Sequence, residues 1–258
     1  MRDPHVVSLQ YRLETDPSVT FQNPPPVENE TPAFRLRLDN GVATFRLKDH
    51  FPSAEAARRV VDAYVRAWEI DAALRSGHQE IKFVFKDAKL VDLDPPPPGS
   101  AEIPIGGVAA LSARGGITVR EVHVGRSQYP TPPKGFEASP VVETLWQRYE
   151  RYRRGRESLP VMAAFCLTKI ETLAGKREEA AKLFHVSHGV LRRLGDLAAN
   201  RGDETTARKV PTSGVLTPLS PQEEIWIEAA IKVIIRRVGE ARVNPSLPEI
   251  TMTDLPSL

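Results

Sequence analysis

The sequence predicts an α+β protein in which an N-terminal antiparallel sheet carries one long amphipathic helix and a C-terminal all-α helical bundle follows. Three observations predict this class. Short segments of the first half alternate apolar and polar residues, as half-buried strands do. One segment near residue 60 has apolar residues three or four apart. Beyond a Pro-rich stretch the helical period continues throughout. We therefore expect a sheet domain at 1–125, a linker at 126–139, a bundle at 140–242 and an irregular tail at 243–258.

The first half contains a hairpin signal and several separate strand signals. Asn40-Gly41 supplies the positive φ angles of a tight turn, and alternating segments flank it on both sides. Ser53 can cap a helix that runs to about Arg75. Prolines are frequent in residues 15–32, which we assign to an extended surface connection. The strands expected in this half are Val6–Glu14, Phe34–Leu38, Val42–Leu47, Gln79–Phe85, a short one at Leu90–Leu93 and a last one at Ile117–Val124.

The second half predicts four or five helices with clear start signals. Ser139 caps the first helix, and Pro140 takes its first position, where the missing N–H costs nothing. Ser220 and Glu223 have the spacing of a capping box at the start of the last helix. Between these two helices we expect helices at Leu159–Ala174, Lys176–His185 and Ser187–Asn200. Residues 203–219 are expected to be a charged helical extension followed by a loop.

Composition favours a soluble cytoplasmic protein without a disulfide. The chain of 258 residues has a net charge of +2 and a single cysteine, so no intrachain disulfide can form. Its N-terminus lacks an export signal, and no apolar run reaches the length of about 18 residues that predicts a membrane span. We expect no membrane association and no cofactor.

The segment 177–196 has the pattern of two helices joined by a short turn, which is typical of helix-turn-helix DNA-binding proteins. Ala181 would be the small contact residue of the first helix. The turn would lie at His185-Val186, where glycine is commonest at the first position. The residues predicted to contact nucleic acid or a partner lie at the start of the second helix: Ser187, His188, Arg192 and Arg193. Adjacent arginines diverge by about 100° on a helix, so Arg192 and Arg193 cannot both face one groove squarely. A helical hairpin with a solvated basic face explains the same pattern.

Other chemistry has weaker support in the residue patterns. Arg177 and His185 are too far apart in sequence for an RNA-cleaving Arg–His pair, and no third ligand accompanies His185 and His188 for a metal. Glu80-Ile-Lys82 has the form of a nuclease motif, but the further acid would have to be Asp62 or Asp71, which the pattern places on the long helix. We predict no catalytic, cofactor-binding or metal-binding residue, and Cys166 is expected to be a buried small side chain.

An aromatic and basic helix opens the predicted bundle. Trp146, Tyr149 and Tyr152 fall on its apolar side, and the remaining positions hold several arginines. Such a surface could bind RNA or an acidic partner, although its spacing favours aromatic residues packed in the core.

Four motifs in the chain resemble those of proteins labelled methylamine utilization protein MauJ. They are Trp146-Gln-Arg-Tyr149, Ala163–Thr168, Arg201-Gly-Asp203 with Ala207-Arg-Lys209, and Ile250–Pro256. The resemblance lies mostly in the second half of the chain. It implies a cytoplasmic protein without an established activity, and no functional residue carries over from it.

The leading interpretation is a non-enzymatic binding or scaffolding protein with a protein partner. Its functional surface would be the basic bundle face or the interdomain groove. The alternative is a helix-turn-helix DNA-binding regulator acting through residues 177–196. A metal-dependent nuclease or hydrolase comes third.

Overall fold

The computed structural model describes residues 3–76, 81–94, 124–202 and 217–258. Contacts between residues divide the chain into two units. Unit 1 contains residues 1–65 and 79–132, and unit 2 contains residues 66–78 and 133–258. All of the predicted strand Ile117–Val124 except its last residue, and most of the predicted extension at 203–219, lie outside the described residues.

Unit 1 is built on an antiparallel sheet, as the alternating sequence pattern predicts. Within the described residues, five strands form it in the order β3-β4-β5-β1-β6. β2 pairs in parallel with the short β7 in a second, two-stranded sheet. The strands are β1 (Pro4–Thr15), β2 (Val19–Phe21), β3 (Val27–Glu30), β4 (Phe34–Asp39), β5 (Val42–Leu47), β6 (Ile81–Asp92) and β7 (Val124–Arg126).

The hairpin between β4 and β5 is confirmed. Asn40 and Gly41 have φ angles of 47° and 72°, as a tight hairpin turn requires. The pairing places Leu36 opposite Phe45, and both side chains are fully buried. On the opposite face of the sheet, the alternate positions of the two strands hold Arg35, Arg37, Asp39, Val42, Thr44 and Arg46.

Two expectations for the strands are wrong. Residues 15–32 are not only a connection, because Val27–Glu30 pairs with β4 at the edge of the sheet. Its polar side chains obscured the strand in the sequence, and edge strands tolerate such residues on a solvated face. Leu90–Leu93 is not a separate strand either. β6 continues through register shifts along β1 until Asp92, and such irregularities interrupt the alternation that sequence analysis detects.

The long predicted helix is present as α1 (Ala54–Ser76). Its first half belongs to unit 1, where the Tyr11 hydroxyl donates a hydrogen bond to Asp62 at 2.5 Å. Its second half belongs to unit 2, where Ala67, Ile70 and Leu74 are part of the helical core. One amphipathic helix therefore contributes apolar residues to both units.

Unit 2 is helical, as predicted, and its helix ends follow the sequence signals. Ser139 Oγ accepts from the N–H of Val142, and Ser220 and Glu223 form a reciprocal capping box. The helices are α2 (Pro140–Arg153), α3 (Leu159–Ala174), α4 (Arg177–Phe184), α5 (His188–Asn200) and α6 (Pro221–Glu240). The core of the unit lies between them, and α6 alone contributes seven fully or nearly fully buried apolar side chains: Trp226, Ile227, Ala230, Ile231, Ile234, Ile235 and Val238.

The C-terminal residues 243–258 contain one short turn and make contacts with the helices of unit 2. A short 3-10 turn at Met252–Asp254 is closed by its own capping box from Thr251 to Asp254. Leu255 is 8% exposed and joins the core of unit 2. Sequence analysis did not detect these contacts, because a single buried side chain leaves no periodic signal.

Candidate nucleic-acid interface

The two helices predicted within 177–196 are present and are separated by three residues. α4 has eight residues and α5 has thirteen. His185 ends α4 in the left-handed conformation, with φ 51° and ψ 45°. The N–H groups of His185 and Val186 then reach back to carbonyl groups of Lys182 and Ala181 at 3.4 and 3.1 Å. This is the usual way to end a helix sharply, although glycine is the commoner residue at such a position.

The buried face of α4 and α5 continues without a break across the turn between them. Val186 is fully buried although it lies in the turn, and it is flanked by buried side chains of both helices. The buried positions are Ala180, Ala181, Phe184, Val186, Val190, Leu191 and Leu194. Small alanines let α4 pack closely, and larger residues anchor α5. The turn is therefore held from its inner side, and the outer side of α5 is left to solvent.

The tail fixes the same turn through its backbone. The N–H of Ile250 donates to the carbonyl of His185 at 2.8 Å, and the N–H of Ser187 donates to the carbonyl of Ile250 at 2.8 Å. Val186 and Ile250 consequently form a parallel β-bridge. These bonds satisfy turn groups that the helices leave unpaired. The relative orientation of α4 and α5 thus rests on a segment more than sixty positions away in the sequence.

Of the four predicted contact residues, three occupy the start of α5 and face outward or cap it. Ser187 Oγ accepts from the N–H of Val190 at 3.4 Å. His188 is 47% exposed in its side chain, and its Nε2 lies 3.6 Å from Glu178 Oε1. Arg192 is exposed one turn further along. Gly189, also exposed, leaves the backbone accessible between them, since a Cβ there would meet only Ser187 Oγ at 3.9 Å.

Arg193 points to a different place. One of its terminal nitrogens lies 3.8 Å from Glu223 Oε1, and Arg201 donates to the same carboxylate oxygen at 3.1 Å. Glu223 is 7% exposed. Its burial favours the neutral acid, but the N–H of Ser220 and the guanidinium groups of Arg201 and Arg193 outweigh this and lower the pKa of Glu223. The structure brings Ser187, His188 and Arg192 together and assigns Arg193 to the junction of α5 with α6. Sequence analysis missed Glu223 as the partner of Arg193, because the two residues are distant in the sequence.

An open cleft of about 470 Å³ lies beside the start of α5. Residues from the end of α3, the start of α4 and His188 line it, and Lys176 and Arg177 are the cations among them. Arg177 is paired with Glu171 at 2.5 Å, whereas Lys176 is exposed with its amino group 3.9 Å from Glu179. Lys176 is therefore the more available cation in this cleft. No local sequence signal distinguishes Lys176 from the other exposed cations of the chain.

The basic face of α2 is largely neutralised by carboxylates. Arg148, Arg153 and Arg154 pair with Glu157, Glu228 and Glu150 at 3.0, 3.4 and 3.2 Å, respectively. The aromatic side of the helix is core, with Trp146 and Tyr149 buried. An acidic partner would have to displace these internal ion pairs, so α2 offers less free positive charge than its sequence indicates.

In the described part of the chain, the residues considered for nucleic-acid cleavage are either far apart or already paired with other side chains. Arg177 begins α4 and His185 follows its end, which separates their backbones by about 12 Å along the helix axis. Asp62 is engaged by Tyr11 and Arg58, and Asp71, in the other unit, pairs with Arg75 and Arg236. Glu80 lies outside the described residues. Among the residues that the structure does describe, no three acidic, histidine or cysteine side chains are grouped to hold a metal ion.

Cys166 is fully buried in α3, as expected. Burial raises the pKa of its thiol to about 12, and the nearby charge of Glu157 acts in the same direction. A thiol with this pKa stays protonated at neutral pH, and the thiolate is the reactive form. The residue therefore serves packing in the helical core.

None of the helices in the described ranges combines the length and the apolar character that a membrane span requires. Comparison of the chain with protein-family models, curated proteins and solved structures returned no match.

Proposed function

We propose that the chain binds duplex DNA by placing the first turns of α5 in the major groove. One observation carries this proposal: a short helix, a three-residue turn anchored on its inner side and a second helix with a solvent-facing start occur in sequence. In helix-turn-helix proteins the second helix enters the major groove and its N-terminal residues contact base edges. α5 has thirteen residues and is about 20 Å long, which is enough to follow the groove.

Each exposed residue at the start of α5 has a role in this proposal. Arg192 suits the two acceptors on the major-groove edge of guanine, since a guanidinium group offers two parallel donors. His188 lies one helical turn before Arg192 and contacts a neighbouring base or phosphate. Gly189 has no side chain, so the groove wall can approach the backbone closely. Lys176, exposed immediately before α4, supplies a contact to a phosphate group.

A salt-titrated binding assay with full-length protein tests the proposal. Fluorescence anisotropy would follow binding to labelled duplex DNA of mixed sequence, beginning at low salt, where contacts to phosphate are strongest. We expect saturable binding that weakens as salt rises. Absence of binding at low salt would refute the proposal, because nonspecific contacts are detected there first.

Two neighbouring arginines provide a matched pair of variants. On a duplex that contains the preferred guanine, Arg192→Gln is expected to weaken binding about tenfold, the loss that corresponds to one good base contact. Arg193→Gln removes the same charge one position later, but that side chain faces Glu223, so it should lower thermal stability more than affinity. Arg151→Gln changes an exposed arginine on α2 and serves as a distant control. Equal loss of affinity in all three variants would indicate a general charge effect and contradict a groove contact by Arg192.

A protein-binding role is the second candidate, and exposed apolar side chains favour it. Leu173 at the end of α3 and Leu183 on α4 are 46% and 51% exposed. Exposed apolar surface marks protein contact sites, and these leucines are the exposed large apolar side chains of α3 and α4. If DNA binding is absent at low salt, self-association of the wild type compared with Leu183→Gln by light scattering tests this role. An unchanged monomeric mass for both proteins would refute self-association through Leu183.

A further inference from the structure

The outer face of the five-stranded sheet carries a basic pocket of about 320 Å³ in unit 1. It is formed by β3, β4 and β5, and its lining residues are Glu28, Arg35, Leu36, Arg37, Thr44 and Arg46. The three arginine side chains are exposed on the face opposite α1. This pocket has no part in the proposed DNA contact, which lies in unit 2.

Strand pairing places two arginines directly opposite each other in this pocket. Arg35 on β4 is the register partner of Arg46 on β5, and Arg37 lies opposite the adjacent Thr44. Like charges at directly opposed positions destabilise a sheet. The other neighbour of Arg46 across the sheet is Ser8 on β1, which brings no negative charge.

The carboxylates around the pocket compensate the other cations and not Arg46. Arg37 pairs with Glu28 at 2.7 Å and with Asp39 at 2.9 Å. Glu30 is shared between Arg35 at 3.2 Å and Lys48 at 2.8 Å. Hydrogen bonding to Lys48, with the charge of Arg35, lowers the pKa of Glu30, so this carboxylate is ionised at neutral pH. Among the described residues no carboxylate forms an ion pair with Arg46. The surplus positive charge of this face therefore resides at Arg46, next to Arg35.

We propose that the pocket between Arg35, Arg37 and Arg46 binds the dianionic phosphate group of a small molecule. A phosphate offers several acceptor oxygens, and guanidinium groups bind such oxygens with two parallel N–H donors. A phosphate dianion bound between Arg35 and Arg46 attracts both guanidinium groups and so offsets the repulsion between them. The Thr44 hydroxyl, on the same face, supplies a neutral donor. Unfavourable arrangements such as the like-charge pair Arg35 and Arg46 are expected at functional sites.

The test is a titration of the full-length protein with inorganic phosphate, followed by two-dimensional amide NMR at constant ionic strength. We expect saturating shifts confined to β4 and β5 around residues 35–37 and 44–46. Sodium chloride at the same ionic strength should not reproduce them. Shifts that rise linearly without saturation, or that spread over all exposed arginines, would overturn the proposal.

Variants separate a site from general positive charge. Arg46→Gln should weaken phosphate binding about tenfold, and Arg46→Lys should weaken it less, because lysine keeps the charge but loses the paired donors. Arg12→Gln is the matched control: Arg12 is exposed on the same sheet and is paired with Glu14 outside the pocket. Equal weakening by Arg12→Gln would overturn the proposal.

Two further measurements address folding and ligand class. Without phosphate, Arg46→Gln should melt at the same temperature as the wild type or higher, since it relieves like-charge repulsion. A lower melting temperature would mean that Arg46 serves stability and would overturn the assignment.

A parallel titration with acetate should give much weaker shifts at the same positions. Equal affinity for acetate would overturn the preference for phosphate.

Discussion

Two helical glycines in unit 2 show how differently a single position can be constrained. A methyl group at Gly239 in α6 would overlap the ring of Phe136 and lie 3.0 Å from the carbonyl oxygen of Glu137. A methyl group at Gly189 in α5 would meet only Ser187 Oγ at 3.9 Å. Both residues have helical neighbours, so the sequence alone gives no reason to distinguish them. The difference comes entirely from what packs against each helix.

We predict that Gly239→Ala destabilises the protein. Overpacking a filled interior costs about 1–3 kcal/mol, and the better helix propensity of alanine recovers at most about 1 kcal/mol. Urea unfolding followed by circular dichroism would measure the change in the free energy of unfolding. A stabilised Gly239→Ala variant would show that Phe136 moves away without cost, contrary to the packing described.

Gly189→Ala is predicted to have the opposite effect on stability. Alanine in the solvent-exposed first turn of α5 should raise the free energy of unfolding by about 0.5–1 kcal/mol. Under the proposed DNA contact the same change should weaken DNA binding, because the added methyl group stands where the groove wall approaches. Unfolding and anisotropy measurements on one preparation would test both effects. Improved stability with unchanged affinity would place the backbone of Gly189 outside the interface.

At the scale of single elements, α5 and α6 are joined by one buried carboxylate. Glu223 closes the capping box of α6 and accepts from Arg201, the residue that ends α5. Removing one partner of a buried ion pair leaves the charge of the other partner unpaired, and this lowers the free energy of unfolding. Arg193 therefore has a role in the fold through Glu223, whereas its neighbour Arg192 is exposed to solvent.

We predict that Glu223→Gln lowers the free energy of unfolding by about 2 kcal/mol at neutral pH. The pKa of Glu223 is lowered in the folded protein, so its ionised form stabilises the fold above the ordinary glutamate pKa of about 4.3. This contribution is lost as the pH falls through the folded pKa. Unfolding curves across this range should therefore converge for variant and wild type in acid. A constant difference at every pH would contradict an effect of charge.

The tail acts as an element of the fold through Leu255 and the bridge at Ile250. We predict that Leu255→Ala costs about 2 kcal/mol, the low end for buried leucine, because the side chain lies near the surface. Amide hydrogen exchange should then increase at Ser187, whose N–H is held by Ile250. Pro256→Ala, an exposed change beside it, is the control. Unaltered exchange at Ser187 in Leu255→Ala would show that the bridge persists without the anchor.

The sequence predicted most elements, because their signals are local. The Asn40-Gly41 turn, the Ser139 cap and the Ser220–Glu223 box each follow from a few adjacent residues and are confirmed. β3 was missed because three of its four residues are polar, and the division of α1 has no local signal at all. At the candidate site, the helix pair was predictable from apolar spacing. The partner of Arg193 was not, because Glu223 becomes its neighbour only when the chain folds.

Across the whole molecule, most tyrosine hydroxyls are protected from ionisation. Burial raises the pKa of Tyr11, Tyr64, Tyr149 and Tyr152. Hydrogen bonding to Asp62 adds to this effect at Tyr11, and hydrogen bonding to Glu228 adds to it at Tyr149. These groups lie in both units, so their ionisation reports on the sheet and on the helices together.

We predict that the folded protein keeps four of its five tyrosines neutral when free tyrosine ionises, at a pH of about 10. A raised folded pKa gives stability that is present below the free value and is lost as the pH rises through the folded pKa. Tyrosinate absorbance should therefore appear together with the loss of ellipticity in an alkaline titration. Full ionisation near the free value with ellipticity intact would contradict the burial of these hydroxyls.

The division of α1 determines how the protein can be cut into fragments for expression. A fragment that starts after the Pro-rich stretch contains all of α2 to α6 but lacks residues 66–78 of its own unit. It would expose the apolar surface that Ala67, Ile70, Ala73 and Leu74 cover in the intact chain, and such surfaces favour aggregation. A soluble helical fragment therefore requires that the second half of α1 be supplied, either fused ahead of α2 or added as a separate peptide.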